Sequence, residues 1–201
     1  MNKRIILGVT GASGMPYAFR LAQVLGAAPG VELHLIVSPA AQQVMAVETD
    51  QRLEELARHA VATHNDGDLA APPASGSWQH HGMAVCPCSM RSLAAIAQGA
   101  ADSLLVRAAD VTLKEGRPLL LVPRETPLSR VHLRNMLLAS EAGAVIMPAM
   151  PAFYHRPKTV ADIVDHLVAR ILDRLGVEHS LSTRWDGLPA IEFPVPRGYT
   201  G

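Results

Sequence analysis

Ile5-Ile6-Leu7-Gly8-Val9-Thr10-Gly11-Ala12-Ser13-Gly14 is the stretch that decides the fold. Ile5 to Val9 is an unbroken apolar run of strand length, too short for a buried helix. Met15 to Leu25 follows as a helix, with Gly26 near its end. A buried strand, a glycine-rich loop and a helix in that order form the first unit of a layered α/β domain. Glycines let the backbone come close to an anion, and the following helix offers unpaired N–H groups at its positive end. Ser13 adds a hydroxyl. The plain alternative is a tight turn that needs glycine only for its own shape.

The same alternation continues. Val31 to Val37 reads as a second strand and Pro39 to Val47 as a helix. His59 to Thr63 is a weaker strand, and Met83 to Cys86 is another, followed by helical Leu93 to Gln98. Leu119 to Val122 and Ala144 to Met147 bring the total to about six strands, near the usual sheet size. Their continuous apolar character predicts parallel strands covered on both faces. The final helix is the clearest. Thr159 and Asp162 form a capping pair, Val160 to Leu175 carries a broad apolar face, and Gly176 stands at the expected stop. The fold class is therefore α/β, a three-layer Rossmann-like arrangement around a mostly parallel sheet. Residues 1–188 read as one domain, with 189–201 as a C-terminal tail.

Composition narrows the function. The 201 residues are 49% hydrophobic and 18% charged, with 18 basic and 18 acidic side chains. A neutral chain has no general attraction for nucleic acid or anionic lipid. Aromatic residues are only 4%, too few for a base-stacking surface. So low a charged fraction predicts surface buried between copies of the chain. Cys86 and Cys88 are separated by one proline, which implies no disulfide framework and suits a reducing compartment. No apolar stretch reaches membrane-spanning length and none resembles a signal peptide, so the expected location is the cytoplasm.

The loop spacing, Gly8-x-x-Gly11-x-x-Gly14, is neither the dinucleotide fingerprint nor the Walker loop. A dinucleotide fold would place Asp or Glu after the second strand to hold a ribose. Here the chain reads Val37-Ser38-Pro39. A mononucleotide such as FMN is preferred over NAD. Three other strand ends are polar. Cys86-Pro87-Cys88-Ser89-Met90-Arg91-Ser92 offers hydroxyls and a helix start, its cysteines reading as small buried thiols. Arg124-Glu125 pairs an anion binder with a carboxylate that handles protons, or forms a mere surface pair. The proline-rich run Pro148 to Pro157 presents Phe153 and Tyr154 on a rigid loop. Arg107 and Lys114 lie two turns apart on one helical segment with Asp110 and Glu115, and Arg170 interrupts the last apolar stripe. No metal-binding His or Cys pattern, aspartate-rich run or serine-hydrolase elbow occurs.

Taken in order, these clusters resemble the flavin prenyltransferase family, called UbiX in bacteria. The matching stretches are Gly8 to Gly14, Val47 to Asp50, Ser75 to Trp78, Cys86 to Met90, Arg107 to Glu115, Pro123 to Pro127 and Pro151 to Pro157. The resemblance implies transfer of a dimethylallyl group from dimethylallyl monophosphate to N5 and C6 of reduced FMN, without metal. It implies that Gly11, Ala12, Ser13, Ser38, Ser89, Met90, Arg91, Ser92 and Arg124 hold FMN. Arg107, Lys114, Tyr154 and Arg170 would hold the prenyl phosphate. Glu48 and Glu125 would assist proton movement, with Ser13 and Lys114 also in the catalytic set, and Trp78 and Trp185 would flank the prenyl group. It further implies a homododecamer and a UbiD-type decarboxylase that receives the product. The chain departs from the family at Met15-Pro16-Tyr17-Ala18 and at Gly116. Two other functions are weighed. An FMN-dependent cysteine decarboxylase of related fold would not need Lys114, Tyr154 and Arg170. An FMN-binding accessory subunit of an aromatic acid decarboxylase would be free to lose Glu48 or Lys114, and both are kept.

Overall fold

The computed structural model describes residues 2–182 and 187. Its centre is a six-stranded sheet. The strands are β1 (Lys3–Val9), β2 (Val31–Val37), β3 (Ala62–Asn65), β4 (Gly82–Cys88), β5 (Leu119–Pro123) and β6 (Val145–Ile146). Their order is β3-β2-β1-β4-β5-β6, and every neighbouring pair is parallel. Strand order reverses between β1 and β4, the topological switch point at which open α/β sheets bind ligands.

Side chains alternate between the faces with the period of a strand. Ile5, Leu7 and Val9 of β1 join one core with Leu33, Leu35 and Val37 of β2. That core is covered by α1 (Met15–Ala27), α2 (Pro39–Glu48), α3 (Leu53–Ala57) and α7 (Val160–Leu175). Ile6, Ile36, Met83 and Val85 enter the opposite core with α4 (Met90–Gln98), α5 (Leu104–Lys114) and α6 (Arg130–Glu141). Leu7, Leu35, Val85 and Leu121 are wholly buried, and each such side chain contributes roughly 1.5–3 kcal/mol of transfer free energy.

Four local readings change. The third strand is Ala62–Asn65, later than the His59 to Thr63 run, and its residues are only half-buried or exposed. It sits at the sheet edge, so its apolar signal is weak. β4 runs through Pro87 to Cys88. A proline is tolerated in this central strand because pairing with β1 ends at Val85 and pairing with β5 shifts register between Val85 and Cys88. The shift also turns Cys88 to the face that Met83 and Val85 occupy. Val160 was expected on the apolar face of the last helix, but it is 74% exposed. The helices α3 and α6 were not anticipated from the sequence.

The last helix is otherwise as expected. Thr159 Oγ1 accepts the Asp162 N–H, Asp162 Oδ2 accepts the Thr159 N–H, and Gly176 closes the helix at φ 63°. Arg20 of α1 holds Asp165 of α7 through two N–H donors, at 2.6 and 3.1 Å.

Candidate functional site

The loops after β1, β2, β3 and β4 meet above the switch point. A cavity of about 420 Å³ opens there, lined by Gly11, Ser38, Asp66, Ser89, Arg91 and Ser92, with Asp102, Ser103 and Val106 completing its far wall. That volume lies within the usual range for small-molecule pockets. The loops converge because the helices after them begin here. Ser38 accepts the Ala41 N–H and starts α2. Ser89 accepts the Ser92 N–H and starts α4. Ser103 accepts the Val106 N–H and starts α5. Three positive helix ends thus face one cavity, the electrostatic setting that favours a phosphate.

Gly11 lies against Ala40. A Cβ at position 11 would stand 2.6 Å from the Ala40 Cβ, so the loop approaches α2 as closely as glycine alone permits. Thr10 ties the two switch-point loops together. Its hydroxyl donates to the Pro87 carbonyl at 2.9 Å and accepts the Ser89 N–H at 2.7 Å. Glu48, at the end of α2, reaches back to the start of α1. Its Oε2 accepts the N–H groups of Gly14 and Met15, each at 2.9 Å. Burial pushes this carboxyl up, but hydrogen bonds from Ser13, Gly14 and Met15 and the charge of Arg124 outweigh it, leaving it below the ordinary value. Glu48 is therefore an anion at neutral pH. Ala12 is buried in the same loop, and Met90 is half-buried in the first turn of α4. Arg124 and Glu125 are exposed just beyond β5, where Glu125 accepts the Thr126 N–H.

The phosphate-binding candidates form two separate groups. Arg107 and Lys114 lie on α5. The Arg107 guanidinium bonds Asp110 and the Ala74 carbonyl, and Lys114 bonds Glu115 beside Gly76. Both thus face the Ala74–Gly76 loop, as their spacing implies. Arg117 holds that loop through the carbonyls of Gly76 and Trp78. Tyr154 and Arg170 belong to the other layer. Tyr154 lies in the loop before α7, its hydroxyl 3.3 Å from His166 Nε2, and Arg170 is an exposed residue of α7. α5 and α7 pack on opposite faces of the sheet, so the two pairs stand in different layers.

Trp78 does not line the cavity. Its ring packs edge-on to His34 at 4.7 Å and over His80 at 5.7 Å, beneath the Arg4 guanidinium. Trp185 lies outside the described residues. Burial pushes the Cys86 thiol well above its usual value and the Cys88 thiol up to about 12, which makes both poor nucleophiles. Among the described residues, no cluster of three His, Cys, Asp or Glu side chains suits a metal. Thr10, Asp66, Asp102 and Ser103 were not read as site residues in the sequence. Ser103, directly before the apolar Leu104-Leu105-Val106, carried a readable capping signal; Asp66 and Asp102 were brought to the cavity only by folding.

Fold and cavity define a class, the α/β proteins that take a phosphorylated ligand at the switch point of a parallel sheet. Comparison with known proteins narrows it. The flavoprotein family model matches residues 1–172. The flavin prenyltransferase UbiX of Escherichia coli strain K12 is 49% identical over 187 residues, 92% of this chain and 99% of that protein. A probable UbiX-like flavin prenyltransferase of E. coli O157:H7 is 51% identical over 92% of this chain and 94% of its own length. Among solved structures, AnUbiX in complex with FMN and dimethylallyl pyrophosphate shares 43% identity at a TM-score of 0.91, covering 94% of this chain and 100% of the other. A dodecameric FMN-dependent UbiX-like decarboxylase of E. coli O157:H7 shares 50% identity at a TM-score of 0.89, covering 92% and 100%. The chain belongs to the flavoprotein family and, within it, to the UbiX-like flavin prenyltransferases. The cysteine decarboxylase TvaF, at 15% identity and a TM-score of 0.63, shares the fold alone.

Proposed function

We propose that this protein joins the dimethylallyl group of dimethylallyl monophosphate to N5 and C6 of reduced FMN and releases phosphate. The observation that carries this reading is the cavity where Gly11, Ser38, Ser89, Arg91 and Ser92 meet under three helix N-termini. FMN supplies the nucleophilic ring atoms. Gly11, Ala12, Ser13, Ser38, Ser89, Met90, Arg91, Ser92 and Arg124 hold it. Backbone N–H groups and hydroxyls bind its phosphate.

Arg107, Lys114, Tyr154 and Arg170 take the prenyl phosphate. Breaking an allylic C–O bond builds charge on that phosphate, and cationic donors already in place stabilise the charge as it forms. Each charge-assisted hydrogen bond contributes on the order of 1.5–3 kcal/mol. Glu48, anionic at neutral pH, accepts protons, and Glu125 assists. Trp185 shields the five-carbon group from water, joined by Trp78, which lies away from its own chain's cavity and so comes to that group from another copy. A monophosphate carries less charge than a diphosphate, so side-chain cations replace magnesium.

Two layers hold the two halves of the second pocket, so an intact site needs more than one copy of the chain. A homododecamer whose pockets combine several copies meets that need, as does the low charged fraction. Residues 1–188 act as the catalytic domain, with 189–201 as a tail. The product serves a UbiD-type decarboxylase, and a cytoplasmic location suits two buried free thiols.

The test is to mix the protein anaerobically with reduced FMN and dimethylallyl monophosphate, without magnesium, and to weigh the flavin. The expected result is a gain of one five-carbon unit. An unchanged mass from folded, FMN-loaded protein overturns the proposal.

A further inference from the structure

The Tyr154 phenol is not left to find its own orientation. His166 and Arg170 are one turn apart on α7 and share a face of the helix. Tyr154 enters from the loop before α7, and its hydroxyl lies 3.3 Å from His166 Nε2. Its ring stands edge-on to His155 at 5.6 Å and to His166 at 5.4 Å. His155 and His166 are stacked at 4.5 Å with only 12° between their planes. Three rings thus brace one another against the face of α7 that presents Arg170. Among the described residues, both ring nitrogens of His155 are enclosed without a hydrogen-bond partner, so His155 acts here as a flat packing surface.

We infer that His166 is the positioning residue for Tyr154, holding the phenol beside Arg170 where it meets the prenyl phosphate. This rests on the proposed role of Tyr154 in binding that phosphate. The chemistry sets the tautomer. A phenol that donates to a phosphate oxygen must have its hydrogen available, so His166 has to donate from Nε2 to the phenol oxygen. With the opposite tautomer, Tyr154 would spend its only hydrogen on the histidine. Burial, the neighbouring His155 ring and the Arg170 charge all hold His166 below its usual pKa, so it serves as a neutral ring. Other charged groups nearby are Asp165, already held by Arg20, and Arg156, Lys158 and Asp162 around the adjoining cleft.

The test uses the full-length assembled protein and steady-state prenylation with reduced FMN. Tyr154→Phe is expected to raise KM for dimethylallyl monophosphate about tenfold, the equivalent of one charge-assisted hydrogen bond. His166→Ala is expected to give a similar rise with little change in kcat or FMN affinity. His166→Gln, which keeps an N–H donor of similar reach, restores most of the loss. The double variant Tyr154→Phe, His166→Ala is expected to be no worse than Tyr154→Phe alone, because both changes remove the same interaction. If Tyr154→Phe leaves KM unchanged, the phosphate-binding role of Tyr154 is wrong. If Tyr154→Phe raises KM but His166→Ala does not, or the two losses add fully, that role stands and the positioning inference falls. A fall in FMN affinity equal to the rise in KM, in both His166 variants, overturns the inference in favour of a general structural role.

Discussion

Glu48 shows how one side chain serves both shape and chemistry. Its carboxylate occupies the N-terminus of α1, where Gly14 supplies no side-chain cap of its own. A negative charge there interacts favourably with the helix dipole. The same charge lies close enough to Arg124 for the two to stabilise each other. Glu48→Gln keeps the shape and loses the charge. It is expected to lower stability by about 1 kcal/mol, read as a lower denaturant midpoint with unchanged m. Because the folded pKa is depressed, the stabilisation is present above the ordinary carboxylate value and is lost as pH falls through the folded one. The wild-type advantage over Glu48→Gln should therefore vanish in acid. An advantage that persists there would mean that the charge does not matter.

At the scale of elements, the pair β2 and β3 carries a second acid-sensitive feature. His34 of β2 lies 3.1 Å from His64 of β3 and packs against Trp78, which also stacks on His80. His80 bonds Thr112 of α5 and Arg117, joining the loop that carries Trp78 to the end of α5. Burial first, and then neighbouring positive groups, push both His34 and His80 down to about 4. In the unfolded chain they titrate near 6.5. Between those values the unfolded state takes up protons that the folded state refuses. Stability is complete above the unfolded value and falls as pH drops through the window. Chemical denaturation at pH 7, 6 and 5 should show a falling midpoint, and His80→Gln should flatten the slope. Equal slopes in the two proteins would show that His80 titrates normally when folded.

Across the whole molecule, the two cationic groups are held apart by the sheet itself. Arg107 and Lys114 belong to the layer of α5, Tyr154 and Arg170 to the layer of α7. If copies of the chain complete each other's pockets, then Lys114→Ala and Arg170→Ala, each inactive alone, should complement when co-assembled. In random equal mixtures about one quarter of pockets regain both groups, because each pocket draws its two halves from different copies. Activity near that level, with neither variant active by itself, supports shared pockets. Mixtures no better than their parts would place both groups in one copy's pocket.

How much of this was legible follows from how each signal arises. The run Ile5 to Val9, the glycines at 8, 11 and 14, and the Thr159–Asp162 cap with Gly176 are local: each acts within a few residues, so the amino-acid order alone determined the layered fold and the place of the glycine loop in it. The helix over residues 130–141 carries no clear amphipathic signal, since Val131, Leu133 and Leu137 are exposed while Asn135 is buried, an inversion of the usual pattern. β3 was misplaced because an edge strand needs little apolar character. Which residues meet is a different kind of information. Asp66 and Asp102 come to one cavity with Gly11, and Trp78 joins the histidines, through contacts between residues far apart in the chain. Only the tertiary structure decided those meetings, and the opposite placement of α5 and α7, because packing both faces of a parallel sheet fixes positions that no local spacing encodes.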